Sequence, residues 1–162
     1  MLLIRQAQVS DFPRILQINA TEEEKTSRID LARVTLLDRW SDYHKVAVVD
    51  DEVVGFLLVM GEASDYDGDN FRWFVDRYSH FLYVDRIVID RTSARRGIGS
   101  ALYCDLIQFA ATQGWSTLCC EINVSPPNPV SHAFHAHFGF EEVGRSAEAG
   151  APKVVSYQVT EI

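Results

Sequence analysis

The sequence predicts a mixed α/β fold in which helices cover both faces of one sheet. Short segments rich in β-branched and aromatic residues alternate with longer segments whose apolar residues recur at helical spacing. Their order is strand, two helices, three strands, helix, strand, helix and two strands. The chain has 162 residues, of which 47% are hydrophobic and 23% charged. This length and composition favour one globular domain spanning residues 1–162.

Seven segments have the composition of strands: 2–7, 46–49, 53–60, 81–89, 117–122, 141–145 and 154–159. The second and third are joined by the acidic turn Asp50-Asp51, which is typical of a hairpin. The longest apolar run, Val53–Met60, is far shorter than the about 20 residues of a membrane-spanning helix. The first residues also lack the pattern of a secretory signal. We therefore expect a soluble, cytoplasmic protein with no membrane partner.

Four segments have apolar residues at helical spacing: one beginning near Phe12, 31–40, 98–113 and 128–138. Ser10 and Asp11 offer a capping side chain to the first, and Pro13 fits its first turn. The acidic run 22–24 is expected to be a loop or a solvated helix start. The segment 61–78 begins polar and ends rich in aromatic residues, which predicts a packed loop that adds to the core.

The charge balance argues against nucleic acid as a partner. Fifteen Lys and Arg residues against 23 Asp and Glu residues give a net charge of −8, and an acidic surface repels a polyanion. The one local reversal of sign lies at Arg91, Arg95 and Arg96. The three cysteines include the neighbours Cys119 and Cys120, which point to opposite faces of a strand. We expect free thiols in a reducing compartment.

Two groups of residues resemble metal ligands without fitting a metal. The acidic residues of 65–76 have the spacing of a calcium loop, but Asn70 stands where the loop requires glycine. His132 and His135 can share a helix face, whereas His137 points elsewhere. We therefore expect no metal.

The most informative segment is 87–100, with the sequence IVIDRTSARRGIGS. A β-rich run leads through a short basic loop directly into an amphipathic helix, whose first N–H groups are unpaired and attract an anion. Gly97 and Gly99 allow the backbone to approach that anion, and Arg95 and Arg96 add donors and positive charge. This arrangement predicts a polyphosphate site, although it matches neither the P-loop nor Gly-x-Gly-x-x-Gly. The alternative is a loop whose arginines are simply solvated.

Residues 87–102 and 128–144 resemble two motifs of the GNAT superfamily of acetyl-CoA-dependent N-acetyltransferases. The first motif is a strand end followed by Arg/Gln-x-x-Gly-x-Gly/Ala at a helix start. The second is similar to Asn-x-x-Ala-x-x-Leu-Tyr-x-x-x-Gly-Phe-x-x-Val-Gly. The resemblance covers about 81–144 closely and the N-terminal half only by the order of its elements. Ala94 stands where the first motif has Arg or Gln, and His135 stands where many relatives have tyrosine.

This resemblance implies a mostly antiparallel mixed sheet of six to seven strands, splayed between the fourth and fifth, with about four helices on both faces. It implies transfer of the acetyl group of acetyl-CoA, as co-substrate, to a primary amine of a small molecule or peptide. The transfer would be direct, in a ternary complex. The rival reading is a non-catalytic acyl-CoA-binding or regulatory domain of the same fold. Whether the chain forms a homodimer stays open.

The resemblance also assigns cofactor contacts to backbone or side-chain groups of particular residues: Ile87, Val88, Ile89, Arg95, Arg96, Gly97, Ile98, Gly99, Ser100, Asn128, Ser131 and Phe134.

Acetyl transfer to an alkyl amine requires a base, because such an amine has a pKa of about 10 and is protonated at neutral pH. Asp85 and Glu121 are the candidates. In a regular strand Asp85 shares a face with Ile87, and Glu121 lies near the end of the adjacent strand. The alternatives are that Asp85 pairs with Arg86 and that Glu121 only trims a loop.

The departing thiolate benefits from an acid, and His135 is the candidate because the pKa of imidazole lies near neutrality. Tyr83 and Tyr103 are the fallback acids. The segment 65–78, with its carboxylates, is a candidate wall of the acceptor pocket, since those carboxylates suit a cationic amine.

Overall fold

The protein's structure, a computed structural model, describes residues 1–23, 25–146 and 151–162, and residue 24 of the acidic run lies outside them. Within that part of the chain it contains seven strands and five α-helices. In chain order they are β1 (Leu2–Gln6), α1 (Phe12–Ala20), α2 (Leu31–Trp40), β2 (Tyr43–Val49), β3 (Glu52–Gly61), α3 (Asp69–Val75), β4 (Leu82–Ile89), α4 (Ile98–Gln113), β5 (Thr117–Ser125), α5 (Pro129–His137), β6 (Glu141–Arg145) and β7 (Val154–Glu161). The predicted fold class is confirmed.

The helix α3 was not predicted. It forms inside the aromatic-rich segment, where Phe71 and Phe74 are spaced by one helical turn and are both buried. The two rings pack on Tyr83 of β4, with centroid distances of 5.4 Å and 5.9 Å. The aromatic residues therefore do join the core, but through a short helix rather than a loop.

The sheet has the strand order β1-β2-β3-β4-β5-β7-β6, and every neighbouring pair except β4–β5 is antiparallel. The parallel pair is short: Leu82 lies beside Leu118 and Tyr83 beside Cys119, after which the strands separate. The predicted splay between the fourth and fifth strands is confirmed. It leaves the backbone edge of β4 beyond Tyr83 unpaired on the β5 side.

Two hydrophobic cores lie on opposite faces of the sheet. One is covered by α1, α2 and α3 and includes Phe12, Leu37 and Phe74. The other is covered by α4 and includes Leu102 and Leu106. The splay between β4 and β5 therefore lies between two packed layers.

The helix ends agree with the sequence at α4 but not at α1. Gly114 adopts a left-handed conformation with φ 90° and ends α4 as predicted. The side chain of Asp11 does not cap α1; it accepts hydrogen bonds from the Arg5 guanidinium and the Gln8 N–H instead. The predicted cap is therefore wrong. In the described part of the chain, the helices are too short or too polar to span a bilayer.

Candidate active site

A cavity of about 630 Å³ occupies the splay, between the start of α4, the loop joining α1 to α2, and α5. Every predicted catalytic residue and every predicted cofactor residue except Arg96 lines it. Arg96 is exposed and lies outside the lining. The structure thus brings together residues that are separated by up to about fifty positions in the chain.

The start of α4 forms a cradle of backbone donors. Gly97 precedes the helix with φ 74°, and Arg95 also has a positive φ of 65°. The first backbone bond of the helix runs from the Ala101 N–H to the Gly97 carbonyl at 3.0 Å. The N–H groups of residues 98–100 therefore have no acceptor within the helix. A Cβ added at Gly97 would meet no heavy atom within 4 Å, so the space beside the cradle is open.

Gly99 has a different role from Gly97. A Cβ at Gly99 would lie 3.3 Å from two ring carbons of Phe134, so the absence of a side chain lets α5 pack closely against the start of α4. Asn128 begins α5 and accepts a hydrogen bond from the Ser131 N–H at 3.3 Å. The second predicted motif is therefore folded against the first.

The cavity fits acetyl-CoA on two counts. The unpaired backbone edge of Ile87, Val88 and Ile89 can hydrogen-bond an extended amide-containing arm, as a neighbouring strand would. The cradle at the start of α4 offers N–H groups and partial positive charge to a pyrophosphate. In the described residues, no three His, Cys, Asp or Glu side chains converge as a metal site.

A β-bulge at Asp85 changes which way the side chains of β4 point. The pairing of β4 with β3 skips Asp85, and the regular alternation is lost there. Asp85 and Arg86 consequently both lie on the face covered by α1 to α3, where they contact Tyr66 and Asn19. Ile87 packs into the core on the α4 side. The prediction that Asp85 and Ile87 share a face is wrong.

Asp85 is held in a buried ion pair. Its Oδ1 accepts the Tyr66 hydroxyl at 2.5 Å and its Oδ2 accepts the Arg86 Nε at 2.6 Å. The side chains of Asp85 and Arg86 are only 3% and 4% exposed. Arg86 also donates to Asn19 and Ser27 on the α1 side. The structure shows the ion pair that the sequence left as an alternative.

Glu121 differs from Asp85 because it has no cationic partner among the described residues. The Tyr83 hydroxyl donates to its Oε2 at 2.6 Å, and the Asn70 amide donates to its Oε1 at 3.2 Å. Burial raises the pKa of Glu121 to about 7, helped by the negative charge of Asp85 and opposed by these two hydrogen bonds. A carboxylate with this pKa can accept a proton near neutral pH.

His135 is buried, and both of its ring nitrogens have hydrogen-bond partners. Its Nε2 lies 2.6 Å from the Tyr103 hydroxyl, and its Nδ1 lies 2.8 Å from the Ser131 carbonyl oxygen. Burial lowers the pKa of His135 to about 4, so the ring is neutral at pH 7. The reason for choosing it from the sequence, a pKa near neutrality, does not hold in this setting.

Three residues of this network were not identified as site residues from the sequence. Tyr66 and Asn70 belong to the segment around α3, and Tyr157 lies on β7, where its hydroxyl donates to Asn70 Oδ1 at 3.0 Å. They are far from the two motifs in the chain. The acidic, aromatic composition of 65–78 indicated the region, but nothing in the sequence singled out Asn70.

A sheet that opens between parallel strands, beside a glycine-led helix start, is the arrangement that the resemblance to the GNAT superfamily predicts. The model of the Acetyltransferase (GNAT) family matches residues 4–140, and the chain belongs to this family. Comparison with curated proteins gives no match.

Solved structures of similar fold cover nearly the whole chain at low identity. The Escherichia coli ribosomal-protein-S18-alanine N-acetyltransferase is 16% identical with a TM-score of 0.73, covering 100% of this chain and 94% of that one. Naa50 of Arabidopsis thaliana, in complex with a bisubstrate analogue CoA-Ac-MVNAL, is 13% identical with a TM-score of 0.75 and 99% coverage of both chains. The Salmonella typhimurium yncA structure, with its cofactor acetyl-CoA, is 18% identical with a TM-score of 0.69, covering 99% and 94%. These likenesses establish the fold.

Proposed function

We propose that the protein is an N-acetyltransferase that moves the acetyl group of acetyl-CoA to a primary amine of a small molecule or peptide. The observation that carries the proposal is Glu121, whose carboxylate faces the cavity at the splay and has no counter-ion in the described part of the chain. The proposal treats residues 1–162 as one catalytic domain. The three cysteines are free thiols, which supports a reducing compartment such as the cytoplasm.

The cofactor would be held by the two features that fit it. Backbone groups of Ile87–Ile89 would pair with the pantetheine arm, and the N–H groups of 97–100 would bind the pyrophosphate, with Arg95 beside them. Phe134 and Asn128 would border the cofactor on the α5 side of the cavity. When bound, acetyl-CoA supplies an acetyl group activated as a thioester.

Glu121 would act as the general base. An ammonium group that enters the cavity loses a proton to the Glu121 carboxylate, directly or through a water molecule, and its nitrogen becomes nucleophilic. The Tyr83 hydroxyl and the Asn70 amide hold the two oxygens of Glu121 in place while it gains and later releases that proton. The remaining contribution is positioning of the two reactants.

The protein would carry no acyl group itself. Burial raises the pKa of Cys119 and Cys120 well above the usual value, so both stay thiols and neither is an effective nucleophile. The third cysteine, Cys104, is exposed and does not line the cavity. This supports direct transfer in a ternary complex. A thiol has a pKa of about 8.5, so its thiolate leaves readily near neutral pH and a strong protein acid is not required. A His135 ring that is neutral and hydrogen-bonded through both nitrogens is therefore compatible with release of the CoA thiolate.

The segment before and within α3 would form one wall of the acceptor pocket. Tyr66 and Asn70 reach the two carboxylates, and Asp69 lines the cavity from an exposed position. An exposed carboxylate at this wall favours a cationic acceptor. We expect Asp69→Asn to raise the KM for the amine severalfold and to leave acetyl-CoA affinity unchanged, whereas equal losses in both would contradict the assignment.

The experiment that tests the function is release of CoA thiol from acetyl-CoA across a panel of amines and peptides, with the Glu121→Gln variant as control. General-base catalysis contributes about 10²–10⁴-fold, so we expect the variant to lose at least about a hundredfold in kcat/KM. Its affinity for acetyl-CoA, measured by calorimetry, should not change. Full activity of Glu121→Gln would refute the assigned base.

One observation favours the rival function, a non-catalytic acyl-CoA-binding or regulatory domain. The position where many relatives have tyrosine holds His135, which is buried and neutral. Binding of acetyl-CoA with no thiol release for any amine would support this rival, and turnover with a single amine would exclude it.

A further inference from the structure

Asn70 connects helix α3 to Glu121, the proposed base, by a hydrogen bond. Its amide donates to Glu121 Oε1 at 3.2 Å, while its carbonyl oxygen accepts the Tyr157 hydroxyl at 3.0 Å. Glu121 and Tyr157 lie opposite each other in the pairing of β5 with β7. Asn70 therefore forms hydrogen bonds with both members of this cross-strand pair.

The Tyr157 hydroxyl and the Glu121 carboxylate together determine which way the amide points. With the carbonyl oxygen of Asn70 on Tyr157, the NH₂ group must face Glu121; the reverse orientation would place two acceptor oxygens against each other. An amide N–H stabilises a carboxylate more than a neutral carboxylic acid. This orientation therefore favours the ionised form of Glu121.

The aromatic packing of α3 fixes the position of Asn70. Trp73 stacks on Tyr157 with a centroid distance of 4.1 Å and an interplanar angle of 15°. Phe74 meets Tyr157 edge to face at 5.5 Å. The backbone that carries Asn70 is thus held against β7, and the amide has little freedom to leave Glu121.

We propose that Asn70 is a positioning residue: held by Tyr157, its amide favours the ionised form of Glu121 and keeps that carboxylate directed into the cavity, ready to accept a proton. The proposal rests on the proposed function, in which Glu121 is the base. It assigns a role in the reaction to a helix that lies outside both sequence motifs.

The groups around Glu121 allow its titration to be distinguished from theirs. The other titratable groups that interact with it are Asp85 and Tyr83 of β4, Tyr66 before α3, Tyr103 of α4, Tyr157 of β7, and Cys119 and Cys120 of its own strand. Burial raises the pKa of each of these tyrosines and cysteines above its usual value, so they stay neutral between pH 5 and 9. Asp85 is paired with Arg86. A midpoint near pH 7 in this cluster would therefore belong to Glu121.

The test is a pH titration of Glu121 in the ligand-free full chain. The titration is monitored by carbon NMR on protein labelled at the glutamate carboxyl carbons. The Glu121 signal is assigned by its loss in Glu121→Gln. Asn70→Asp keeps the shape of the side chain but places a second carboxylate against Glu121, and Tyr157→Phe removes only the hydroxyl that orients the amide. Arg77→Ala is the structural control, because it removes the cation over the Trp73 ring but alters neither the Trp73–Tyr157 pair nor Asn70.

We expect Asn70→Asp to raise the Glu121 midpoint by at least about one pH unit, as carboxylates that share a site do. The ionised fraction at pH 7 then falls from about one half to about one tenth, and kcat/KM at pH 7 should fall about fivefold and recover as the pH rises. Tyr157→Phe should move both quantities in the same direction by less. Arg77→Ala should lower Tm and leave the midpoint unchanged.

An unchanged midpoint in both Asn70→Asp and Tyr157→Phe would overturn the proposal, whatever their stability. Tyr157→Phe keeps the test decisive if Asn70→Asp does not fold. A wild-type protein that turns over no amine would instead refute the proposed function, so the two failures are distinguishable.

Discussion

Replacing Glu121 with glutamine should stabilise the fold at alkaline pH and change it little at pH 5. The pKa of Glu121 rises from 4.5 to about 7 on folding, mainly because burial removes the carboxylate from water. Between these values the folded state holds a proton that the unfolded state has released, so the stability of the wild type falls as the pH rises through this window. At about 1.36 kcal/mol per pH unit the full cost above pH 7 is about 3 kcal/mol. Glutamine has the same shape and no charge, so it removes this cost.

The measurement is urea unfolding of wild type and Glu121→Gln at pH 5, 7 and 8.5. The pH-dependent part of the difference isolates ionisation from any change in the hydrogen bonds of Tyr83 and Asn70, because those changes are present at every pH. A gain of about 3 kcal/mol corresponds to about 6–12 °C in Tm for a chain of this size. No acceptor needs to be known for this experiment.

Glu62→Gln is the matched control, since its pH dependence has the opposite sign. Desolvation raises the pKa of Glu62, but hydrogen bonds from Trp115, His80 and the Phe81 N–H outweigh it and hold the pKa below its usual value. Its carboxylate therefore stabilises the fold above pH 4.5, and the glutamine variant should be destabilised at neutral pH. If Glu121→Gln differs from wild type by the same amount at pH 5 and pH 8.5, Glu121 ionises normally and its assignment as a base near neutrality fails.

Three further substitutions test the cradle and the packing of α3. Gly99→Glu should weaken acetyl-CoA binding at least tenfold by calorimetry, because its Cβ would lie 3.3 Å from Phe134 and its charge would oppose the pyrophosphate; unchanged binding would refute the cradle. Gly97→Ala should cost about 1–2 kcal/mol of stability through its positive φ alone, since its Cβ would meet no atom within 4 Å; a larger loss would mean that the loop is more tightly packed than described. Gly144→Ala should cost about 1–3 kcal/mol, because its Cβ would lie 2.6 Å from Trp73, a ring that cannot move away from its stack; an unchanged Tm would show that the stack is loose.

The sequence predicted the parts of the fold that depend on local pattern. The boundaries of α4 follow from its apolar spacing and from Gly114, and the cradle follows from a strand, two glycines and a helix start in immediate succession. These features involve residues within about twenty positions of one another. The chemistry of a helix start or a glycine turn does not depend on distant parts of the chain.

The bulge at Asp85 could not be predicted, because β4 is covered on both faces and its mostly apolar sequence has no alternation that an extra residue could interrupt. It reverses the direction of every side chain that follows, and so it separated Asp85 from Ile87. The role of Asn70 was hidden for another reason: its partners Glu121 and Tyr157 lie 51 and 87 positions away. Contacts of this length depend on the packing of α3, which the aromatic composition did not reveal as a helix.

The bulge also explains why the two acidic candidates differ chemically. By placing Asp85 and Arg86 on one face, it gives Asp85 a counter-ion from its own strand, and that buried pair fastens the Asn19 side of the pocket. The charge of Asp85 is compensated, so it raises the pKa of Glu121 only as a secondary contribution to burial. Across residues 1–23, 25–146 and 151–162, Glu121 has donors from Tyr83 and Asn70 but no cation, and this is the setting in which a carboxylate takes up and releases a proton near pH 7. The stability that the fold loses by burying the Glu121 carboxylate is therefore the same free energy that would make Glu121 a base, so a variant that recovers that stability should lose catalysis if the proposed role is right.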